Sequence, residues 1–226
     1  MEKRQLTLKP YLIIDDGHGN KTPGKRSPLF EEPFTIAGKL YEVGEFVHEN
    51  QINDAISKEV MRLAKLHRID AVMLCPEFED ISLSERIKRE SPIYNAAKAT
   101  GKLPLLISIH ANAHTSNPYG FLEWTGANGF ETFYSPTKPK ENQDFAKIIH
   151  KHCQKASGGR NRGVKTKPDF FIVRKSKSLS VIIEYGFMTN INELKMMLDP
   201  NYHYLMAQAI IDGVMEYMEF IKKGKV

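Results

Sequence analysis

Two histidines in this chain each follow an apolar run and sit among small residues. His18 lies in "LIIDDGHGNK" (12–21), between Gly17 and Gly19, and His110 lies in "LLISIHANAH" (105–114). A loop that only had to turn would need the glycines and not the imidazole. A catalytic zinc takes three protein ligands and keeps one position open for water, and two histidines with one acid form a standard set. The acid has to stand near a backbone bend. "FVHENQINDAI" supplies Glu49 at the threshold of a helical pattern; the alternative is a first-turn acid favoured only by the helix dipole. A fourth group, Glu184 in "SVIIEYGFMTN", follows an apolar strand-like run, where a carboxylate is costly without a partner or a task. It reads either as a general base next to a metal-bound water or as a buried acid hydrogen-bonded to nearby backbone.

These residues need elements to hold them. Apolar runs predict strands at 11–15, 71–75, 105–110, 129–135, 170–174 and 180–186. Ile52, Ile56, Val60 and Leu63 recur at three- and four-residue steps and predict an amphipathic helix from Asn50 onward. Ser82 followed by Glu85 reads as a capping box opening a second helix. Phe145, Ile148 and Ile149 mark a third helix, and a last one runs from about Tyr202 to Ile221. Strands separated by helices imply an α/β fold: a single domain over 1–226, core about 11–221, with a mostly parallel twisted sheet and helices on both faces. In such sheets ligands gather at the carboxyl ends of the strands, where His18, His110 and Glu184 fall. The loops 19–48 and 111–128 lie on the same side and are candidates for a substrate cleft.

Bulk properties narrow the partners. The 226 residues can bury a sizeable core without disulfides. Cys75 and Cys153 read as buried thiols, not as a disulfide or a metal site. The net charge of +5 is scattered and no nucleic-acid motif accompanies it, so nucleic acid is not an expected partner. No stretch approaches the apolar length that crosses a bilayer. "MEKRQLTLKPYLIIDDGHG" holds no apolar leader segment, so synthesis in the cytoplasm without a signal peptide is expected.

In combination the segments resemble the zinc-dependent N-acetylmuramoyl-L-alanine amidases of the amidase-3 type. "IIDDGHG" resembles the family's first strand and ligand, "HENQINDAI" its Glu-led helix, and "ISLSERIKRESPIYNAA" its Leu-x-x-Arg segment, with Arg86 at the arginine. "ISIHANA" and "IEYGFMTN" match the second histidine and the glutamate motif, and "GFETFY", "RGVK" and "FFIVR" fall where similar runs occur. The resemblance spans Tyr11 to about Tyr217 in the family's order. It implies that His18, Glu49 and His110 hold one Zn²⁺ and that Glu184 is the catalytic residue. It also implies that the substrate is peptidoglycan, opened at the amide between N-acetylmuramic acid and L-alanine, so that the protein acts on the bacterial cell wall. The chain departs from the family at Asp16, where proline is frequent, at "CPEFED" and in the long stretch 20–48. No separate wall-binding module is visible, which suggests a phage- or prophage-type lytic enzyme. The rival readings are a zinc peptidase or carboxypeptidase on the stem peptide and a non-catalytic wall-binding protein of the same fold. Asn112 and His114 are candidates for supporting a ligand or touching substrate, and His48 is expected at the surface. Substrate-binding residues and oligomeric state are not readable.

Overall fold

Strand β1 (Lys9–Asp15) lies between β4 (Asp70–Met73) and β5 (Lys102–Asn112), parallel to both. The sheet continues through β8 (Leu179–Phe187), β6 (Phe130–Tyr134) and β7 (Asn161–Thr166) in the order β4-β1-β5-β8-β6-β7. Among the described residues of this six-stranded sheet, only the β6–β8 pair is antiparallel. The computed structural model describes residues 8–115, 117 and 122–224. Residues 1–7, the start of the segment read for a leader, and part of the 111–128 loop lie outside the described residues.

Side chains alternate between the two faces of a strand, and the sheet buries both. Leu12, Ile14, Leu105, Ile107, Ile109, Val181 and Ile183 enter the larger core. Helices α1 (Glu49–Leu66), α3 (Lys140–Ser157) and α6 (Pro200–Lys222) cover that face. Ile13, Leu106, Phe133 and Ile182 enter a smaller core, under α2 (Leu83–Ala99) and α4 (Phe171–Lys175). The expected single α/β domain, with helices on both faces of a mostly parallel sheet, is therefore present. The same alternation puts Asp15, Ser108, His110, Glu184 and Glu131 on the smaller-core face, at one end of the sheet. From β1 the chain runs out to β4 and then crosses back to β5, so the strand order reverses beside β1. Crevices at such points take ligands.

Three expectations need correction. "FFIVR" is not a strand but the short helix α4. An apolar run of this length suits either state, and tertiary packing decides: β7 pairs with β6, while Ile172 and Val173 are buried against the smaller core. Buried Glu90 secures the following turn, accepting from the Ser178 N–H at 3.0 Å and its hydroxyl at 2.6 Å. The capping box at Ser82 is half made. Ser82 Oγ accepts from the Glu85 N–H at 3.3 Å, but the Glu85 carboxylate faces Arg89 and Lys88 at 3.6 Å each. Thirdly, His110 and Glu184 lie within β5 and β8, which run on to Asn112 and Phe187, and are paired in register. The stretch 19–48 also folds a hairpin, β2 (Phe34–Ile36) and β3 (Lys39–Tyr41), unforeseen in the sequence. A seven-residue helix, α5 (Ile191–Met197), buries Met197. Cys75 and Cys153 are buried free thiols, as expected. Among the described residues no helix is long and apolar enough to cross a membrane.

Candidate metal centre

His18, Glu49 and His110, far apart in sequence, present one ligand atom each within 4.8 Å of one another. Glu49 is the hub, with Oε2 3.4 Å from His18 Nε2 and Oε1 3.1 Å from His110 Nδ1. The imidazoles meet edge to face with centroids 4.9 Å apart. Glu49 opens α1, and its backbone N–H donates to the Lys25 carbonyl at 3.0 Å. Its Oε1 accepts from the Ala111 N–H at 3.1 Å, where the β5–β8 register is irregular, and from Asn53 Nδ2 at 3.4 Å. Asn53, one turn along α1, is oriented by the Tyr185 hydroxyl at 2.6 Å.

The glycines around His18 answer to close approach. A Cβ on Gly17 would lie 2.5–2.8 Å from the His110 ring, and one on Gly19 would lie 2.3 Å from the Asp80 backbone nitrogen. Gly17 has φ +48°, and His18 itself sits in the left-handed region at φ +60°, which a residue with a Cβ rarely enters. Asn50 Nδ2 donates to the His18 carbonyl at 3.2 Å and Arg86 to the same oxygen at 3.0 Å, so the strained turn is fixed from two sides.

Behind His110 runs a second set of bonds. His110 Nε2 lies 3.1 Å from Ser108 Oγ, and the Ser108 hydroxyl donates to Asp15 Oδ2 at 2.5 Å. Asp15 is ion-paired with Arg86, whose Nε also donates to the Ile81 carbonyl at 2.9 Å. Asp15, Ser108 and Arg86 are all buried. Such support fixes the ring and leaves Nδ1 to face Glu49. The sequence reading missed Ser108, Asp15, Asn50 and Asn53. Two of the four carried a signal: Ser108 stands two residues before His110 on the same strand face, and Asn53 stands four after Glu49 on one helix face.

The electrostatics suit a cation. Burial, with the nearby charges of His110, Lys25 and Arg86, lowers the His18 pKa to about 4 against the pull of Glu49, so His18 is a neutral donor near pH 7. Burial opposes charge on His110 too, but the hydrogen-bonded Glu49 carboxylate outweighs it and raises the pKa. Burial would raise Glu49, but His110 and His18 hold it below the ordinary value. Two imidazoles and a carboxylate converging in this way fit a divalent metal.

Glu184 pairs in register with His110 and lines the same cleft, of about 420 Å³. Burial, with Glu49 and Glu131 nearby, pushes its pKa up to about 8 despite His110 and Lys25. Its buried Oε2 has no hydrogen-bond partner. Asn112 does not join the trio; its Nδ2 donates to Glu131 Oε1 at 2.5 Å. The His114 side chain is exposed, and its N–H donates to Thr189 Oγ1 at 3.0 Å. His48 is half-buried, edge to face with Phe46.

The family profile described as N-acetylmuramoyl-L-alanine amidase matches residues 12–216. The N-acetylmuramoyl-L-alanine amidase LytC of Bacillus subtilis is 30% identical over 209 residues, covering 91% of this chain but 35% of LytC. The germination-specific N-acetylmuramoyl-L-alanine amidase of Bacillus subtilis is 28% identical over 221 residues, 94% of this chain and 81% of that one. Among solved structures, the catalytic domain of CwlV, an N-acetylmuramoyl-L-alanine amidase from Bacillus (Paenibacillus) polymyxa var. colistinus, superposes with a TM-score of 0.68. The two are 25% identical, and the match covers 93% of this chain and 98% of that one.

Proposed function

The chain belongs to the N-acetylmuramoyl-L-alanine amidase family of the amidase-3 type, and from that premise we propose that it is a zinc-dependent hydrolase of peptidoglycan. In this reading it opens the amide between N-acetylmuramic acid and the L-alanine of the stem peptide, at the bacterial cell wall, and residues 11–221 form the catalytic domain. The observation that carries the reading is the convergence of His18, Glu49 and His110, with both histidines lining the same cleft as Glu184.

His18, Glu49 and His110 would hold the zinc. Bound there, it would polarise the scissile carbonyl and acidify a water toward a pKa of about 7. The rest falls to the chain's own side chains. Glu184 takes a proton from the attacking water on its carboxylate and delivers it to the departing nitrogen of L-alanine. Without a metal, burial raises the pKa of that carboxyl to about 8, which favours the protonated form that serves the second transfer. Asn53 and the Ala111 N–H keep Glu49 in place, and Ser108 keeps the His110 ring from turning.

Digestion of purified peptidoglycan with the zinc-loaded protein, read by mass spectrometry, tests this. Free stem peptides beginning with L-alanine are expected. Shortened stems still attached to muramic acid would make it a peptidase, and no release at all would favour a binding protein.

A further inference from the structure

The cleft beside the metal centre has few charges that are not already committed. Arg86 is spent on Asp15, the His18 carbonyl and the Ile81 carbonyl. Asp80 and Glu184 are acids, and Ile81, Leu83, Phe170, Phe171, Ile172 and Ile182 make the remainder of the lining largely apolar. Lys25 is the exception. It lines the same cleft and is half-buried. Among the described residues its ammonium makes no hydrogen bond, ion pair or ring contact.

Its backbone, by contrast, is held firmly. The Lys25 N–H donates to the Thr22 carbonyl at 3.2 Å, and its carbonyl accepts from the Glu49 N–H at 3.0 Å. Thr22 Oγ1 in turn accepts from the Gly19 N–H at 2.8 Å, and Arg26 bridges to His48 on the next residue. Lys25 is thus joined through its own carbonyl to a residue of the metal centre, while its charge faces the cleft. That charge is felt at His18, Glu49 and Glu184 alike. Elsewhere the chain pairs its half-buried cations: Lys165 has Glu131, and Lys138 has the Ser176 carbonyl. A half-buried ammonium without a partner gains most from an anionic ligand, because a hydrogen bond to a charged group is worth more than one between neutral groups.

We propose that Lys25 is a specificity residue whose ammonium receives a free carboxylate of the stem peptide, on the leaving-amine side of the scissile bond. The inference rests on the amidase reading for its substrate. The muramoyl end has lost its carboxylate to the scissile amide, so the anion has to come from the peptide. The stem residue after L-alanine carries an α-carboxyl that is free in some walls and amidated in others. Among the described side chains that line this cleft, Arg86 is committed to Asp15 and two carbonyls, and Lys25 is the cation left to receive a carboxylate.

The test uses two soluble muropeptides identical except for that α-carboxyl, free in one and amidated in the other. The zinc-loaded wild type, Lys25→Met and Lys25→Arg are compared by kcat/KM for amide opening. Dissociation constants are measured in the Glu184→Gln background, where binding is read without turnover. The wild type should prefer the free acid by about tenfold in both readouts. Lys25→Met should reduce that ratio to about one, and Lys25→Arg should retain most of it. Thermal melts check that the variants fold alike. The same ratio in Lys25→Met, no preference in the wild type, or no binding of either muropeptide would overturn the assignment. A carboxylate preference in binding that depends on Lys25, without amide opening, would leave Lys25 assigned and remove the amidase reading. Amide opening without preference would do the reverse.

Discussion

Two buried glutamates stand at the same end of this sheet, each gripped by three nitrogen-bearing side chains, and among the described residues only the cluster around Glu49 could hold a metal. Glu49 lies between His18 and His110. Glu131, in register with Glu184 on the neighbouring strand, is held by Lys165, by Arg162 at 3.2 Å and by Asn112 at 2.5 Å. Imidazole can give up its proton and offer a lone pair, whereas guanidinium and ammonium have no acceptor to offer. The first cluster can therefore exchange protons for a cation, and the second is a closed set of ion pairs. The charge balance looks similar, and the chemistry of the partners separates a cluster that could hold a metal from a closed set of ion pairs.

Removing the hub of each cluster should break the comparison most visibly. Glu49→Ala is expected to lose bound metal and all activity above background, while Glu131→Ala should retain its metal. Metal content after gel filtration, measured together with turnover, checks this. If Glu131→Ala lost its zinc as Glu49→Ala does, the two clusters would not be separate. For Glu131→Ala the cost falls on stability, about 1–2 kcal/mol, moderated because Arg162 and Lys165 are 29% and 41% exposed and can be rehydrated. Denaturant unfolding measures it.

A smaller effect should come from behind the imidazole. Ser108→Ala removes the partner of His110 Nε2 and should weaken zinc affinity by about tenfold or somewhat more. Competition with a chromophoric chelator reads that directly, and unchanged affinity would mean that the ring is held by packing alone.

The smallest effect separates the clusters by pH. The Glu49 carboxylate raises the His110 pKa above its ordinary value, so a proton competes with metal as pH falls through that raised pKa, and affinity should drop by about tenfold per pH unit below it. Glu131 is different. Burial favours its neutral form, yet the bonds from Lys165 and Arg162 hold its pKa below 4.5. Its contribution to stability is therefore present above 4.5 and is lost as pH falls through the lower folded value. The stability difference between wild type and Glu131→Gln should persist at pH 6 and shrink below 4.5. Loss of both properties in one pH window would contradict the distinction.

The site was more legible in the sequence than the frame that holds it. His18, Glu49, His110 and Glu184 stood out because histidines among small residues after apolar runs, and a carboxylate after another, are uncommon without a reason, and the fold gathers the first three into one cluster. The alternation along β1, β5 and β8 also gave the two-faced sheet. "FFIVR" misled because an apolar run of that length has no period, and only the occupancy of the sheet edge by β7 decides that it is helical. The hairpin in 34–41 depends on Phe30, Phe34, Tyr41 and Trp124 stacking across distant parts of the chain, which no local pattern carries. Arg86 stood out only by resemblance. Its ion pair with Asp15 crosses 71 positions, a link that the fold creates.

The central claim is that the metal set and the proton-transferring carboxylate are distinct parts of one cleft. Zinc content and stem-peptide release, measured side by side for wild type and Glu184→Gln, test it most directly. One zinc per chain is expected in both proteins, with release reduced by about 10²–10⁴ in the variant. A variant that had lost its zinc, or one that kept its full rate, would contradict it.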